Sequence, residues 1–198
     1  MNTPSNPHHA LLPSSFIVRF ADLVPAGACV LDLACGYGRH ARLFAARGAQ
    51  VVAIDRDAAA LATLSALAGI DTRLADLEDG TWPLADARFD AIVVSHYLHR
   101  PLLSLLLAAL AADGTLLYET FAAGNEAFGR PSNPDFLLQP GELLALAASG
   151  ARPMTVVAFE QGVVELGQRP AVVQRLAAVG SARAWPPALD ASVAAQGT

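Results

Sequence analysis

Short apolar runs alternate with alanine- and leucine-rich stretches through most of this sequence. The predicted strands cover residues 29–33, 50–54, 72–75, 89–94 and 114–120. The predicted helices between them cover residues 39–46, 58–68 and 101–112. Strands that are apolar throughout and are joined by single helices are typical of a parallel sheet covered on both faces. The alternation therefore predicts an α/β fold.

The remaining segments predict how the chain is organised around this sheet. Residues 13–25 have the pattern of an amphipathic helix, so we predict an N-terminal helix or lid over residues 1–28. A loop rich in Gly, Asn and Pro at 122–140 precedes a helix near Gly141, and the runs at 154–160 and 171–178 predict an antiparallel pair of strands. The main domain is expected to span residues 29–180, and residues 181–198 to form a flexible tail.

The composition excludes several classes of function. Charged residues make up 16% of the chain, against roughly 25% in ordinary soluble domains. Two covered sheet faces explain this low content. None of the 13 basic residues is a lysine, which excludes lysine Schiff-base chemistry and the lysine of a P-loop. A net charge of -5 makes nucleic acid an unlikely partner.

Targeting and metal signals are also missing from the sequence. Cys29 and Cys35 lack the second pair that a zinc site needs, and no disulfide framework is visible. The first residues do not have a signal-peptide pattern, and no apolar run is long enough to span a bilayer. We therefore expect a cytoplasmic protein with no metal and no membrane partner, and we leave its oligomeric state open.

The most informative segment is VLDLACGYGRHA at residues 30–41. It joins a strand to a helix through a turn with Gly36 and Gly38, which lets a ligand approach the backbone and the helix start. Asp55 ends the next strand 19 residues after Gly36, where a carboxylate can accept hydrogen bonds from a ribose. Asp76 follows the third strand. These polar groups predict a nucleotide-like ligand at the strand ends.

Four segments, VLDLACGYGRHA, VVAIDRD, LADLED and FDAIVVSHYLH, resemble those of class I S-adenosylmethionine-dependent methyltransferases. Their order and spacing cover about residues 16–121. The family's usual Asp-x-Gly-x-Gly is altered here, because Ala34 takes the place of the first glycine. The resemblance implies a Rossmann-like three-layer sandwich with a mostly parallel seven-stranded sheet, and S-adenosylmethionine as the cofactor.

The resemblance also implies which residues bind the cofactor. Ala34 and Gly36 would lie against its methionine part, and Asp32 would fix the loop or the amino group. Asp55 would bind the ribose, and Asp76 with Leu77 would contact the adenine. The full predicted set is Asp32, Ala34, Gly36, Gly38, Asp55, Arg56, Asp76, Leu77, Ser95 and Tyr97.

Residues after the fourth and fifth strands are candidates for the chemistry. The catalytic candidates are His96, Tyr97 and His99, where an imidazole could act as a general base. The substrate candidates are His99, Arg100, Glu119, Asn125 and Arg130, with Phe121, Phe128 and Phe136 excluding water. Arg39 and His40 are expected on the helix surface. The segment 118–143 is similar to that of a tellurite-resistance-like bacterial group.

Methyl transfer to a small molecule is the favoured function, and alternatives remain. A nicotinamide-binding domain should have Gly-x-Gly-x-x-Gly, but Ala41 stands at the last position. A methyltransferase acting on RNA or protein would need a basic face formed by the arginines. A protein that binds the cofactor without turnover would keep the same motifs. Arg100 and Arg130 leave open whether the substrate is an anion.

Overall fold

A computed structural model describes residues 12–149, 151, 153–167 and 169–190 of the chain. Its strands are β1 (Cys29–Leu33), β2 (Gln50–Asp55), β3 (Ile70–Leu74), β4 (Phe89–Ser95), β5 (Leu110–Phe121), β6 (Thr155–Leu166) and β7 (Arg169–Val179). Its α-helices are α1 (Ser15–Arg19), α2 (Arg39–Ala46), α3 (Ala58–Ala62), α4 (Leu103–Ala109) and α5 (Glu142–Ala148). Short 3-10 helices lie at Ala21–Leu23, Arg100–Leu102, Asn125–Ala127 and Pro134–Phe136.

The strands form one seven-stranded sheet in the order β3-β2-β1-β4-β5-β7-β6. Neighbouring strands from β3 to β5 are parallel, whereas β7 runs antiparallel to both β5 and β6. The predicted seven-stranded α/β sheet is confirmed, and it is mixed because of β7. Since the strand order reverses between β1 and β4, a crevice opens at the carboxyl ends of these strands, where ligands bind in such sheets.

Two apolar clusters occupy the opposite faces of the sheet. In β4, Ile92 and Val94 belong to one cluster and Ala91 and Val93 to the other, as the two-residue period of a strand requires. Residues of α4 and α5 complete the first cluster, and residues of α1, α2 and α3 complete the second. Helices therefore flank the sheet on both sides, and this burial accounts for the low charge of the chain.

Some predicted boundaries are wrong by several residues. The helix predicted over 58–68 ends at Ala62, because the hydroxyls of Thr63 and Ser65 donate to the Ala60 and Ala62 carbonyls and compete with helix continuation. The fifth strand begins at Leu110 rather than residue 114, since Leu110 pairs with Phe89 through a register shift. The predicted antiparallel pair near the end of the chain is confirmed as β6 and β7.

The segment that follows the last strand is attached to the rest of the fold. The segment after β7 turns back, and the Arg183 Nη1 donates to the Leu23 carbonyl (2.9 Å) and to the Thr115 hydroxyl (2.7 Å). The start of the predicted tail is therefore anchored, whereas residues 1–11 and 191–198 lie outside the described residues. No described helix has the length and apolar character needed to cross a membrane.

Gly180 provides a test of this attachment. Its N–H donates to the Gly114 carbonyl, and a Cβ at this position would overlap the Ala112 carbonyl. Because backbone atoms cannot move aside cheaply, we expect Gly180→Ala to lower the free energy of unfolding by about 1–3 kcal/mol, measured by urea denaturation. Ser181→Ala, at the exposed neighbouring residue, should change it by less than about 0.5 kcal/mol. Equal stability of the two variants would contradict the packing described here.

Candidate functional site

The turn after β1 has an unusual backbone at the mouth of the crevice. Ala34, Gly36 and Gly38 have positive φ angles of 53°, 52° and 69°. A left-handed conformation is unfavourable for alanine, and such strain concentrates at functional sites. The turn is held by hydrogen bonds from the Cys35 N–H to the Ile54 carbonyl (3.0 Å) and from the Gly38 N–H to the Cys35 carbonyl (2.9 Å).

Two carboxylates fix this turn. The buried Asp32 Oδ2 accepts from the Ala41 N–H at 2.8 Å and so ties the first turn of α2 to β1. Burial raises the pKa of Asp32 to about 7, although this hydrogen bond acts in the opposite direction. The Asp55 Oδ2 accepts from the Gly36 N–H at 2.7 Å, and its Oδ1 accepts from the Asp57 N–H at 2.9 Å. Asp55 therefore meets the glycine turn as the sequence spacing predicts.

A cavity of about 270 Å³, which we call the acidic cavity, opens beside Asp55. It is lined by residues that follow β1, β2, β3 and β4 together with one aromatic residue of the long loop. These are Ala34, Asp55, Arg56, Ala75, Asp76, Leu77, Glu78, Tyr97 and Phe136. Leu77 is buried, and Asp76 is exposed and accepts from the Glu78 N–H.

Two further cavities adjoin the acidic cavity. The aromatic cavity, about 210 Å³, is lined by Glu78, His96, Tyr97, Leu98, Thr120, Phe121, Pro131 and Phe136. The glycine-turn cavity, about 500 Å³, is lined by Ala34, Cys35, Gly36, Tyr37, Arg39, Ser95, His96, Leu166 and Gly167. Among the described residues, only His96 lines both of these cavities. The three cavities therefore meet around Ala34, His96 and Tyr97.

His96 is held at this junction by several groups. Its φ angle is 56°, its N–H donates to the Glu119 carbonyl (2.9 Å), and its ring lies 5.0 Å from the Phe121 ring. Arg39 Nη2 lies 3.4 Å from its Nδ1, and Glu119 Oε1 lies 3.8 Å from its Nε2. The side chain of His96 is 34% exposed, and its partial desolvation together with the Arg39 charge lowers its pKa, while Glu119 opposes the shift. The ring is therefore neutral at neutral pH.

A buried polar cluster joins the N-terminal segment to the same edge of the sheet. The fully buried Glu119 accepts at its Oε2 from Arg175 Nε (2.6 Å) and from the Ser14 hydroxyl (2.9 Å). The Ser14 N–H donates to His40 Nε2 at 3.1 Å, and the exposed Arg19 bonds to Glu160. The segment is thus bound to the end of β5 beside the crevice. Its role as a lid stays a prediction.

Two buried polar atoms lack hydrogen-bond partners among the described residues. They are the hydroxyl oxygen of Tyr97 and Oε1 of Glu119. An unsatisfied buried polar group costs about 1–3 kcal/mol, so such atoms usually mark a place where a ligand or water completes the bonding. Tyr97 lines both the acidic and the aromatic cavities, where burial and the nearby carboxylate of Glu78 raise the pKa of the Tyr97 hydroxyl.

The predicted cofactor residues mostly lie together. Those that line the acidic or glycine-turn cavities are Ala34, Gly36, Asp55, Arg56, Asp76, Leu77, Ser95 and Tyr97. Asp32 and Gly38 line none of the three cavities described above, since Asp32 holds α2 and Gly38 caps its start. Ser95 accepts from Arg39 Nη2 at 2.7 Å.

The predicted substrate residues are more scattered. Arg100 lies outside the three cavities because its guanidinium bonds to both carboxylate oxygens of Glu142 and to the Asp135 and Leu137 carbonyls. Asn125 is buried and fixes the loop by bonding to the Pro131 carbonyl and the Val172 N–H. Their roles toward a substrate stay predictions.

The other three substrate candidates differ in their surroundings. Glu119 is buried behind His96, and Arg130 is exposed and lines none of the three cavities. His99 precedes the 3-10 helix at Arg100–Leu102 and also lines none of them. Among the described residues, no group of three His, Cys, Asp or Glu side chains could hold a metal ion.

The expectation that Arg39 and His40 lie on the helix surface is wrong. Arg39 lines the glycine-turn cavity, and His40 is buried against Ser14. Both residues directly follow Gly38. The glycine turn, which brings the start of α2 to the strand ends, was therefore the sequence signal that could have placed them there. Glu78, which lines two cavities, was also missed, although its position two residues after Asp76 could have suggested it.

Comparison with known proteins finds a family that matches the part of the chain from β1 to the start of β5. Residues 30–113 match a family model described as a methyltransferase domain. Residues 30–113 are a methyltransferase domain. The motifs that resemble class I S-adenosylmethionine-dependent methyltransferases lie largely within it, so the predicted resemblance to a methyltransferase is confirmed for these residues.

Relatives extend the similarity beyond the methyltransferase domain. The chain is 36% identical over 115 residues to the ubiquinone biosynthesis O-methyltransferase of Xanthomonas axonopodis pv. citri (strain 306), covering 55% of this chain and 48% of that protein. The chain therefore spans about half the length of this curated relative.

Solved structures share the fold of the methyltransferase domain. TehB from Haemophilus influenzae has a TM-score of 0.71 at 19% identity, over 85% of this chain and 63% of that one. An S-adenosylmethionine-dependent methyltransferase from Mesorhizobium loti has a TM-score of 0.64 at 19% identity, over 84% and 98%. The predicted resemblance to tellurite-resistance-like proteins is thus confirmed at the level of the fold.

His40 allows the contact of the N-terminal segment to be tested by pH. Burial, reinforced by the Arg39 charge, lowers the pKa of His40 from 6.5 to about 3. The unfolded chain therefore binds a proton more readily, and the stability from neutral His40 is lost as the pH falls from 6.5 toward 3. We expect urea denaturation to show a smaller fall in unfolding free energy for His40→Gln over this range.

His99→Gln is the matched control for this experiment. It removes a histidine that lies outside the cluster around Ser14 and Glu119, so its stability should follow the same dependence on pH as the unaltered protein. An unchanged pH dependence in His40→Gln would show that the Ser14 contact does not need a neutral imidazole.

Proposed function

We propose that this chain is a methyltransferase that transfers the methyl group of S-adenosylmethionine to a small-molecule acceptor. The observation that carries the proposal is the junction of three cavities at the point where the strand order reverses. One cavity has carboxylates suited to an adenosine, one has a cation beside the glycine turn, and one has aromatic walls. Such an arrangement suits two ligands that meet at a common point.

The cofactor would lie along the acidic and glycine-turn cavities. Asp55 would accept hydrogen bonds from the ribose hydroxyls through the lone pairs left after its bonds to Gly36 and Asp57. Asp76 and Leu77 would contact the adenine, one through an acceptor and one through apolar packing. Arg39 is the cation that lines the glycine-turn cavity, so it would face the methionine carboxylate.

The residues of these cavities fit such a cofactor. A Cβ built at Gly36 meets nothing within 4 Å, so the turn leaves open space for a ligand. The unpartnered Tyr97 hydroxyl provides a further polar contact where the acidic and aromatic cavities meet. S-adenosylmethionine supplies an electrophilic methyl group on a sulfonium. The chain therefore has to align the acceptor and exclude water rather than create a reactive group.

A small acceptor fits the aromatic cavity best. Its volume of about 210 Å³ matches a compact organic molecule rather than a polymer. No arginine of the described chain lines it, which argues against the phosphates of RNA. The relative from Xanthomonas is named an O-methyltransferase, which favours a hydroxyl group as the methyl acceptor. We expect this chemistry to take place in the cytoplasm.

Replacement of Asp55 tests the cofactor site. The carboxylate would make charge-assisted hydrogen bonds to the ribose, each worth about 1.5–3 kcal/mol. We therefore expect Asp55→Ala to weaken S-adenosylmethionine binding at least about tenfold, measured by isothermal titration calorimetry. Formation of S-adenosylhomocysteine with an acceptor panel would show turnover, and binding without any turnover would indicate a cofactor-binding protein instead.

Asp57→Ala is the matched control for Asp55→Ala. Asp57 is an exposed carboxylate two residues away that caps α3 by accepting from the Ala59 and Ala60 N–H groups. It lines none of the three cavities, so its loss should lower stability by about 1 kcal/mol and leave cofactor affinity within about twofold. Unchanged affinity in Asp55→Ala would overturn the proposed cofactor site.

A further inference from the structure

We infer that the methyl acceptor is an uncharged molecule with a single aromatic ring that carries a hydroxyl group. The inference rests on the proposed function and concerns the aromatic cavity alone. It depends on the walls and size of this cavity, on the charges around it and on the group that can take up the hydroxyl proton.

The walls of the aromatic cavity suit a flat ring. Phe121, Phe136 and Tyr97 provide three aromatic side chains, and Leu98 and Pro131 add apolar surface. An apolar cavity of about 150 Å³ is enough to hold benzene, so the volume of about 210 Å³ leaves space for one ring and a few substituents. Aromatic pairs gain stability beyond the burial of area, which favours a ring over a saturated molecule.

The charges around the cavity disfavour an anionic acceptor. Glu78 is its one acidic lining residue, and among the described residues no arginine lines it. The two arginines that the sequence offered for an anion are placed elsewhere. Arg100 is occupied by Glu142 and two carbonyls, and Arg130 is exposed outside the cavity. Among the residues that line this cavity, a carboxylate or an oxyanion would therefore meet the charge of Glu78 and no arginine.

An uncharged aromatic hydroxyl needs a proton acceptor at neutral pH. A phenolic group such as that of tyrosine has a pKa near 10, so it remains protonated unless a base assists. His96 is the histidine among the residues that line the cavity, and its neutral ring packs on Phe121 at 5.0 Å. His96 is therefore positioned to receive the hydroxyl proton.

The groups around His96 define where this proton would go. Because the Arg39 guanidinium can only donate, Nδ1 faces it as an acceptor, and the ring's own proton is on Nε2 toward Glu119 Oε1. A second proton would enter at Nδ1, which requires Arg39 to leave the 3.4 Å contact while keeping its shorter bond to Ser95. The resulting cation would face the unpartnered oxygen of Glu119.

In the methyl-transfer step, the methyl group, the electron pair and the proton each have a defined destination. The acceptor oxygen forms a bond to the methyl carbon as the carbon–sulfur bond breaks, and that electron pair returns to sulfur. The hydroxyl proton passes to His96. The other charged or titratable groups near this ring are Arg39 and the neutral His40 from α2, Glu119 from β5 and Arg175 from β7. No oxidant or metal ion is required.

A panel of acceptors tests the inference with the full chain. Methylation should be detected with catechol and should fall at least about tenfold in kcat/KM for cyclohexane-1,2-diol, which lacks the aromatic ring. A similar fall is expected for 3,4-dihydroxybenzoate, which adds a carboxylate. Binding of S-adenosylmethionine is measured separately by calorimetry. If the cofactor binds and either tellurite or the carboxylate analogue is preferred, or no phenol is methylated, the inference is wrong while the cofactor site stands.

Failure of the cofactor to bind is a different outcome, since it would overturn the proposed function together with the inference. Glu78→Gln then tests the charge argument directly. It should raise the ratio of kcat/KM for 3,4-dihydroxybenzoate to kcat/KM for catechol at least about fivefold. Asp86→Asn removes an exposed charge outside the cavity and should change kcat/KM for neither acceptor. Equal effects of the two variants would contradict a role of Glu78 in excluding anions.

His96→Asn tests the proton acceptor. We expect kcat with catechol to fall about a hundredfold or more, because general-base catalysis contributes roughly 10²–10⁴-fold. The fall should become smaller as the pH approaches about 10, where a phenolic hydroxyl ionises without a base. The pH dependence of kcat/KM should also lose its acidic limb. An equal fall at every pH would assign His96 a structural role and remove the proton step from the inference.

Discussion

The site depends on one buried hydrogen bond, from the Ala41 N–H to the Asp32 carboxylate at 2.8 Å. Asp32 lies in β1 at the centre of the sheet, where an unpaired carboxylate would be costly. By accepting from the first turn of α2 it fixes where this helix begins. That position leaves only residues 34–38 to turn the chain, which explains why Ala34, Gly36 and Gly38 take left-handed conformations. The mouth of the crevice follows from this constraint.

Asp55 and Glu119 also lie at the carboxyl ends of the parallel strands, but they have different roles. Asp55 supports the glycine turn through Gly36 and still borders the acidic cavity. Glu119 is fully buried and binds Arg175 and Ser14, so it joins the N-terminal segment to β5 and β7. A buried charge is costly to leave without partners, which makes this network specify one position for the segment. The strand ends therefore carry both a carboxylate that only holds the fold together and one that also borders a cavity.

The long loop after β5 shows how tertiary contacts assign residues to structural rather than chemical roles. Its charged and amide groups would serve equally well for a substrate if only the sequence were known. In the structure Arg100, which follows β4, bonds to Glu142 and to two carbonyls of this loop, and Asn125 of the loop bonds to Pro131 and Val172. These contacts hold Phe136 over the cavities. The loop thus contributes aromatic walls while its polar groups satisfy its own backbone.

The sequence by itself determined the sheet, the turn after β1 and the positions of Asp55 and Asp76, because strand periodicity and short connections are local properties of the chain. It could not determine the surroundings of Arg39, His40, Glu119 or Arg100. Their partners lie far away in sequence, and only the packing of α1, β5 and β7 brings them together. From its charge alone, Arg100 suggested a site for an anion. In the tertiary structure the Arg100 guanidinium is bound by Glu142, and the cavity beside His96 has aromatic walls instead.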